Sequence, residues 1–466
     1  MSARKPRTIR ELRAAGHRVV SVKEEMRSNL IRMIRSGEEL FPGIIGFEDS
    51  VIPQVENAIL SGQDMILLGE RGQAKTRMIR SLVRLLDDEV AAVAGCEIND
   101  NPFNPICRSC RDRIARQGDR VEISWIPRER RYGEKLATPD TTIADIIGEV
   151  DPIRVAEGRY LSDELTMHYG LVPRTNRGIF CINELPDLAE KIQVGLFNLL
   201  EERDIQIRGY NVRLPLDICI VASANPEDYT NRGRIITPLR DRYGSQIRTH
   251  YPRSLEDEIE IMEREKTTFE DGSPSCAVPR YMKEIIAEIT RQARQSPDIS
   301  QRSGVSVRVS IANYENLLSN AIKRGIRSGE GDVTPRVSDL PFLVASTKGK
   351  IELESGEEEV EEQVIEKLIK NAVHATFNRY FSVGDFDALL DSFRNGLQVE
   401  VSDGMGSGEY VRLSGELAGL GEAMRRLEIG EQPAGVASAL EFVLEGLHLN
   451  KRLNKERVAG ATRYRV

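Results

Sequence analysis

Residues 65–76 read Met65-Ile66-Leu67-Leu68-Gly69-Glu70-Arg71-Gly72-Gln73-Ala74-Lys75-Thr76. The apolar run predicts a buried strand, the glycines a turn, and Lys75-Thr76 the start of a helix, the layout of a phosphate-binding loop. Backbone N–H groups of Gly69, Glu70, Arg71, Gly72, Gln73 and Ala74 would wrap nucleotide phosphates at the helix N-terminus. Lys75 would reach the β- and γ-phosphates, and the Thr76 hydroxyl would ligate Mg²⁺. Met78, Ile79, Leu82, Val83 and Leu86 give the helix one apolar stripe. The glycine usual before the lysine is Ala74, small enough for phosphate to approach.

Two later strands supply matching parts. Gly178-Ile-Phe-Cys-Ile-Asn-Glu184 is a short apolar strand ending in two polar groups. Glu184 is placed to orient or deprotonate an attacking water. Asn183 stands where an acidic residue would hold the Mg²⁺ shell; its carbonyl accepts from metal-bound water but adds no charge. Asp217-Ile-Cys-Ile-Val-Ala-Ser-Ala224 ends at Asn225, an amide that could sense the γ-phosphate. Arg240 and Arg242 precede another strand-like segment, 245–249. Arg308 precedes an amphipathic helix, 311–322, where it could reach phosphate from a helical subdomain.

These features in this order resemble the AAA+ ATPases, over about residues 40–330. The Ala-Lys-Thr loop resembles the MoxR family. Gly148-Glu-Val-Asp151, Gly170-Leu-Val-Pro-Arg-Thr-Asn-Arg-Gly178 and the Asp-Arg-Tyr around Arg242 look like magnesium-chelatase I subunits. The resemblance implies a phosphate-loop α/β domain, a parallel sheet between helices, followed by a helical lid and a helical C-terminal extension. It also implies ATP and Mg²⁺ as ligands and a homo-oligomeric ring, commonly hexameric, with sites shared between subunits. Arg242 becomes the arginine finger and Arg308 the second sensor. Asn183 departs from the family's acid, which leaves nucleotide binding intact and the rate of hydrolysis open. A hairpin over Asp204–Pro215, with Arg208 and Tyr210 at its turn, would face the ring pore and a protein client. A von Willebrand A domain in that client, and a maturation or metal-insertion role, are suggested by the same resemblance.

Composition sets the frame. The chain has 466 residues, 40% hydrophobic and 30% charged, with net charge −8. That is room for two or three domains. The acidic balance argues against nucleic-acid binding by the whole surface. No long apolar run predicts a membrane span, and the basic N-terminus lacks the apolar core of a secretory signal, so a cytoplasmic protein is expected. The expected organisation is an N-terminal helical segment, 1–40, and a nucleotide domain, 41–253, carrying an insertion at about 96–176. A lid, 254–329, and a mainly helical region, 330–466, follow. Ser21 and Glu24 form a capping-box pattern ahead of Val22, Met26, Leu30 and Met33. Ile45, Gly46 and Phe47 are candidate adenine contacts. The stretch 329–350 reads as a connection, 403–408 as a flexible break, and the basic tail 451–465 as a frayed terminus.

Six cysteines are present. Cys181 and Cys219 lie in apolar strands and read as core. Cys107 and Cys110 form a C-x-x-C pair, with Cys96 earlier in the same insertion. These are candidate Zn²⁺ ligands, but a closed site needs four and no histidine lies in the segment, so reduced thiols are the simpler reading. Two other functions compete with ATP-driven remodelling. One is a nucleotide-gated switch with weak hydrolysis, favoured by Asn183. The other is a DNA-associated AAA+ regulator, against which stand the acidic charge and the absence of the Gly-Ala-Phe-Thr-Gly-Ala loop of sigma-54 activators.

Overall fold

The computed structural model describes residues 5–466 except 152, 154–155, 157–163, 207–212, 226–233, 270–271, 301–303, 355–357, 416, 418 and 459. The chain divides into two compact units, Met1–His250 and Tyr251–Val466.

The first unit's strands are β1 (Met65–Leu68), β2 (Glu89–Val93), β3 (Ile123–Pro127), β4 (Tyr132–Leu136), β5 (Gly148–Val150), β6 (Met167–Tyr169), β7 (Gly178–Asn183), β8 (Asp204–Gln206), β9 (Arg213–Pro215), β10 (Ile218–Ala224) and β11 (Ser245–Arg248). Five build one parallel sheet, in the order β11-β1-β10-β7-β4. Side chains alternate between its faces, so each strand feeds two cores. Met65, Leu67, Ile179, Cys181, Cys219, Val221 and Ile247 pack with the helices Val22–Ser36, Val51–Leu60 and Lys75–Ser81. Ile66, Phe180, Ile182, Ile218, Ile220 and Ala222 face the other way, toward Ile192, Leu199 and Leu200. All residues of β7 and β10 are buried, as parallel strands covered on both faces require. Cys181 and Cys219 are core residues, as expected.

The N-terminal helix carries its capping box, and Val22, Met26, Leu30 and Met33 are buried against the sheet. It is part of the first unit's core. Glu25 and Arg131, 5% and 1% exposed, form a two-pronged ion pair at 2.6 and 2.7 Å, and Arg131 also donates to the Arg177 carbonyl.

The stretch 96–176 is not all insertion. Its charged segment 128–135 holds all but the last residue of β4, which pairs in register with β7. As an edge strand with one neighbour, β4 needs no continuous apolar run, so its polar composition concealed it. The remainder includes β3, paired antiparallel with β2, and the hairpin β5/β6. The strands β8 and β9 pair antiparallel, with Ile205 opposite Leu214, both buried. Arg208 and Tyr210 lie outside the described residues.

In the second unit the helices Leu255–Glu265, Arg280–Ala293, Val307–Ser328, Glu358–Tyr380 and Pro433–Leu449 contribute to one core that includes Tyr281, Tyr314, Phe377 and Phe442. Residues before and after 330 share that core. The 329–350 stretch is not a bare connection, because Val333, Leu340, Leu343 and the Arg336 side chain are buried within it. β12 (Ser275–Cys276) pairs with β13 (Asp332–Val333). The tail is not frayed either: β15 (Asn454–Val458) and β16 (Ala461–Arg465) form an antiparallel sheet with β14 (Val399–Val401). Leu453 and Tyr464 are buried among the tail's charges, and the Tyr464 hydroxyl donates to Glu445. The segment 403–408 leads directly into the helix Ser407–Ser414, whose Ser407 N–H and hydroxyl donate to Glu330. Among the described residues no helix is long and apolar enough to cross a membrane.

Candidate functional site

The C-terminal ends of β1, β7 and β10 lie side by side, where parallel α/β sheets gather their ligands. Gly69 N–H donates to the Ala224 carbonyl, which sets the phosphate loop level with Asn225. A Cβ on Gly69 would collide with Thr249 Oγ1 and Gln73 Oε1, which share a 2.6 Å hydrogen bond. Glycine thus leaves room for that Thr249–Gln73 contact at this crossing of the loop and β11's end. Gly72 has φ +76° and Ala74 φ +53°, both left-handed. The residue in the glycine's usual place thus holds the glycine's conformation, at a cost of about 1 kcal/mol for its Cβ. Thr76 sits half-buried in the first turn of the helix Lys75–Ser81, while Glu70 is half-buried and Arg71 exposed.

Lys75 is 7% exposed. Its ammonium donates to the Gly69 and Glu70 carbonyls and, at 2.8 Å, to Asn225 Oδ1. The Asn225 amide nitrogen donates in turn to Glu184 Oε2 at 2.9 Å. The side chain at the end of β10 thus joins the lysine of the loop after β1 to the glutamate at the end of β7. Glu184 adopts φ +54°, and its N–H donates to Ser223 Oγ. A non-glycine residue held left-handed at a strand end is the kind of strain that surrounding contacts must impose.

Asn183 is 6% exposed. Its Oδ1 accepts from Ser223 at 3.1 Å, and its Nδ2 donates to Glu134 at 2.6 Å. Glu134 is gripped by Arg80, one turn beyond Thr76, at 2.8 and 2.9 Å. That hydrogen-bonded guanidinium holds the Glu134 carboxyl below its ordinary pKa. The acid missing at 183 therefore has a carboxylate neighbour on the adjacent strand. Sequence reasoning missed it because Glu134 lay in what read as a charged insertion.

Arg242 ends the helix Thr237–Arg242. Its guanidinium lies over Phe197, 4.7 Å from the ring centre, and its Nε donates to Glu201 at 2.9 Å. Arg240 is exposed. Arg308 is exposed in the first turn of Val307–Ser328 and belongs to the second unit. Phe47 is 4% exposed and packs edge-on against His250, so it serves the core. Cys96, Cys107 and Cys110 come together with Asp100, all four ligand atoms within 4.8 Å of one another.

Sequence comparison bears on the family. A Magnesium-chelatase 38 kDa subunit of Cereibacter sphaeroides is 26% identical over 231 residues, 48% of this chain and 62% of the relative. The Rhodobacter capsulatus subunit of the same name is 26% identical over 258 residues, 52% of this chain and 64% of the relative. These similarities support an AAA+ ATPase of the magnesium-chelatase group. The chain spans less than two thirds of the length of those two relatives. Its residues 156–239 also match the Sigma-54 interaction domain. Among solved structures, a magnesium-chelatase complex between subunits BchI and BchD aligns at TM-score 0.37 and 21% identity, covering 69% of this chain and 98% of that one. NtrX from Brucella abortus aligns at TM-score 0.40 and 12% identity, covering 74% and 66%.

Proposed function

We propose that this chain binds ATP with Mg²⁺ and hydrolyses it as a subunit of a ring, and uses turnover to remodel or mature a partner protein. The observation that carries the reading is the Asn225 amide, which engages Lys75 and Glu184 at once. The Lys75 ammonium, now on carbonyl and amide oxygens, has the three donors needed for β- and γ-phosphate oxygens. When Lys75 turns to phosphate, Asn225 loses a charged partner, so occupancy of the loop is transmitted to Glu184. Glu184 accepts a hydrogen from water and aims it at the γ-phosphorus.

The Thr76 hydroxyl, the Asn183 amide oxygen and the Glu134 carboxylate hydrogen-bonded to Asn183 are oxygen donors of the kind a hard cation takes. Thr76 and Asn183 would hold Mg²⁺, directly or through water, with Glu134 restoring negative charge nearby. When bound, Mg²⁺ would offset the negative charge that develops in phosphoryl transfer. Arg242 acts on a neighbouring subunit's nucleotide after leaving Glu201, and Arg308 acts as a second sensor. A hexameric ring and a client carrying a von Willebrand A domain are the assembly and partner this reading favours.

A second reading, a nucleotide-gated switch with weak hydrolysis, is favoured by the neutral Asn183, whose Oδ1 is engaged by Ser223. ATP binding tests what the two share. Lys75→Ala should weaken titration of a fluorescent ATP analogue about a hundredfold, the loss of about 2.7 kcal/mol of charge-assisted hydrogen bonding. Wild-type affinity in that variant would remove both readings.

A further inference from the structure

Away from the nucleotide site, the turn after β2 and the helix Arg108–Gln117 bring three thiols and one carboxylate to a single point. Cys107 and Cys110 are buried, Cys96 is half-buried, and Asp100 is fully buried. Asp100 forms no ion pair with a lysine or arginine among the described residues, although a buried carboxylate requires a positive partner or heavy desolvation cost follows. Its oxygens are aimed by backbone donors: Oδ1 accepts from Ile106 N–H at 3.1 Å and Oδ2 from Cys107 N–H at 3.0 Å.

The sulfurs are aimed in the same way. Cys107 Sγ accepts from Cys110 N–H at 3.3 Å, and Cys96 Sγ from Asp100 N–H at 3.4 Å. Such outer hydrogen bonds orient thiolate ligands and stabilise their charge. Tetrahedral ligands about 2.3 Å from a zinc ion stand about 3.8 Å apart, so a cluster already within 4.8 Å closes with small side-chain movements.

We propose that Cys96, Asp100, Cys107 and Cys110 bind one structural Zn²⁺ ion. Three thiolates and a carboxylate carry the same formal charge as four thiolates, and four protein ligands leave no open position for catalysis. Arg111 and Arg113 donate to the Ile106 and Ala94 carbonyls of the same loop, which places two guanidinium groups on the segment that bears this charge. Asp100 supplies the fourth ligand that the cysteine spacing lacked. The ion would fasten the 96–107 turn to the helix behind it. That turn is tied to the approach to β7, since Asn176 Nδ2 donates to the Ile98 carbonyl and Asn99 Nδ2 to the Arg174 carbonyl. The binding loop thus braces the strand that ends in Asn183 and Glu184, from its opposite end.

The test is metal content and Co²⁺ spectroscopy on the full chain. Protein purified without added metal should contain about one Zn²⁺ per chain. After chelation under reducing conditions, Co²⁺ should give thiolate charge-transfer bands and intense tetrahedral visible bands that saturate at one equivalent. Cys107→Ser should lose both signals. Asp100→Ala should weaken Zn²⁺ retention at least about tenfold, while Asp100→Cys should retain the metal with a stronger sulfur-to-cobalt band. Circular dichroism checks that each variant is folded; should Cys107→Ser fail to fold, the wild-type and Asp100→Cys spectra decide. Folded, reduced wild type with neither zinc nor charge-transfer bands overturns the proposal. Zinc retained equally in folded Cys107→Ser, or cobalt bands unchanged in Asp100→Cys, overturns it as well.

Discussion

At the scale of single residues, the site is shaped by positions that depart from what their neighbours would choose. Ala74 occupies a left-handed conformation that glycine adopts at no steric cost. Ala74→Gly should stabilise the protein by about 0.5 to 1 kcal/mol, the relieved Cβ strain less the greater freedom of glycine in the unfolded chain. Thermal denaturation checks it, and a lowered midpoint contradicts it. Glu134 gives a pH-dependent prediction. Its carboxyl is held below the ordinary range, first by the hydrogen-bonded Arg80. A depressed folded-state pKa contributes stability that is present above the unfolded value and lost as pH falls through the folded one. Wild type should therefore exceed Glu134→Gln in melting temperature at neutral pH, and the gap should close in acid. A gap that widens in acid would count against the pairing. The loop, Glu184 and Asn225 were legible because each sits at the end of an apolar run, a pattern visible along the chain. Glu134 and Asp100 were not legible, since their partners come from β7 and from backbone turns that only folding brings near.

At the scale of elements, the edge strand and the N-terminal helix show where periodicity informs and where it stops. The helix Val22–Ser36 carried both a capping box and an apolar stripe, so its existence and buried face could be read directly. Nothing local indicated that Glu25 would meet Arg131, just before β4. Removing one member of a buried pair leaves the other charged and desolvated, so Glu25→Ala should cost about 3 to 5 kcal/mol in urea unfolding. A cost below about 1 kcal/mol, the range of surface pairs, would show that this contact does not fasten the helix to the sheet. β4 escaped sequence reading because an edge strand in contact with solvent tolerates Tyr132, Glu134 and Lys135. The buried β7 and β10, with apolar residues on both faces, announced themselves.

At the scale of the whole molecule, the chain joins an α/β unit of the AAA+ kind to a second unit with its own core. The C-terminal half was legible as helices from their apolar stripes. Its single shared core was not, because periodicity reports burial without saying against what. The helix Pro433–Leu449, buried nearly all round, is the clearest instance. Arg242 rests on Glu201 of its own chain, so its proposed role on a neighbour's nucleotide ties turnover to assembly. The central claim is that Glu184, held by Asn225, directs hydrolysis despite Asn183. Steady-state, Mg²⁺-dependent ATP hydrolysis, measured for wild type and Glu184→Gln across protein concentrations that favour rings, tests it most directly. Turnover in wild type should rise with assembly, and Glu184→Gln should bind ATP without turnover. Equal turnover in the two proteins, or ATP binding with no hydrolysis in either, would contradict it.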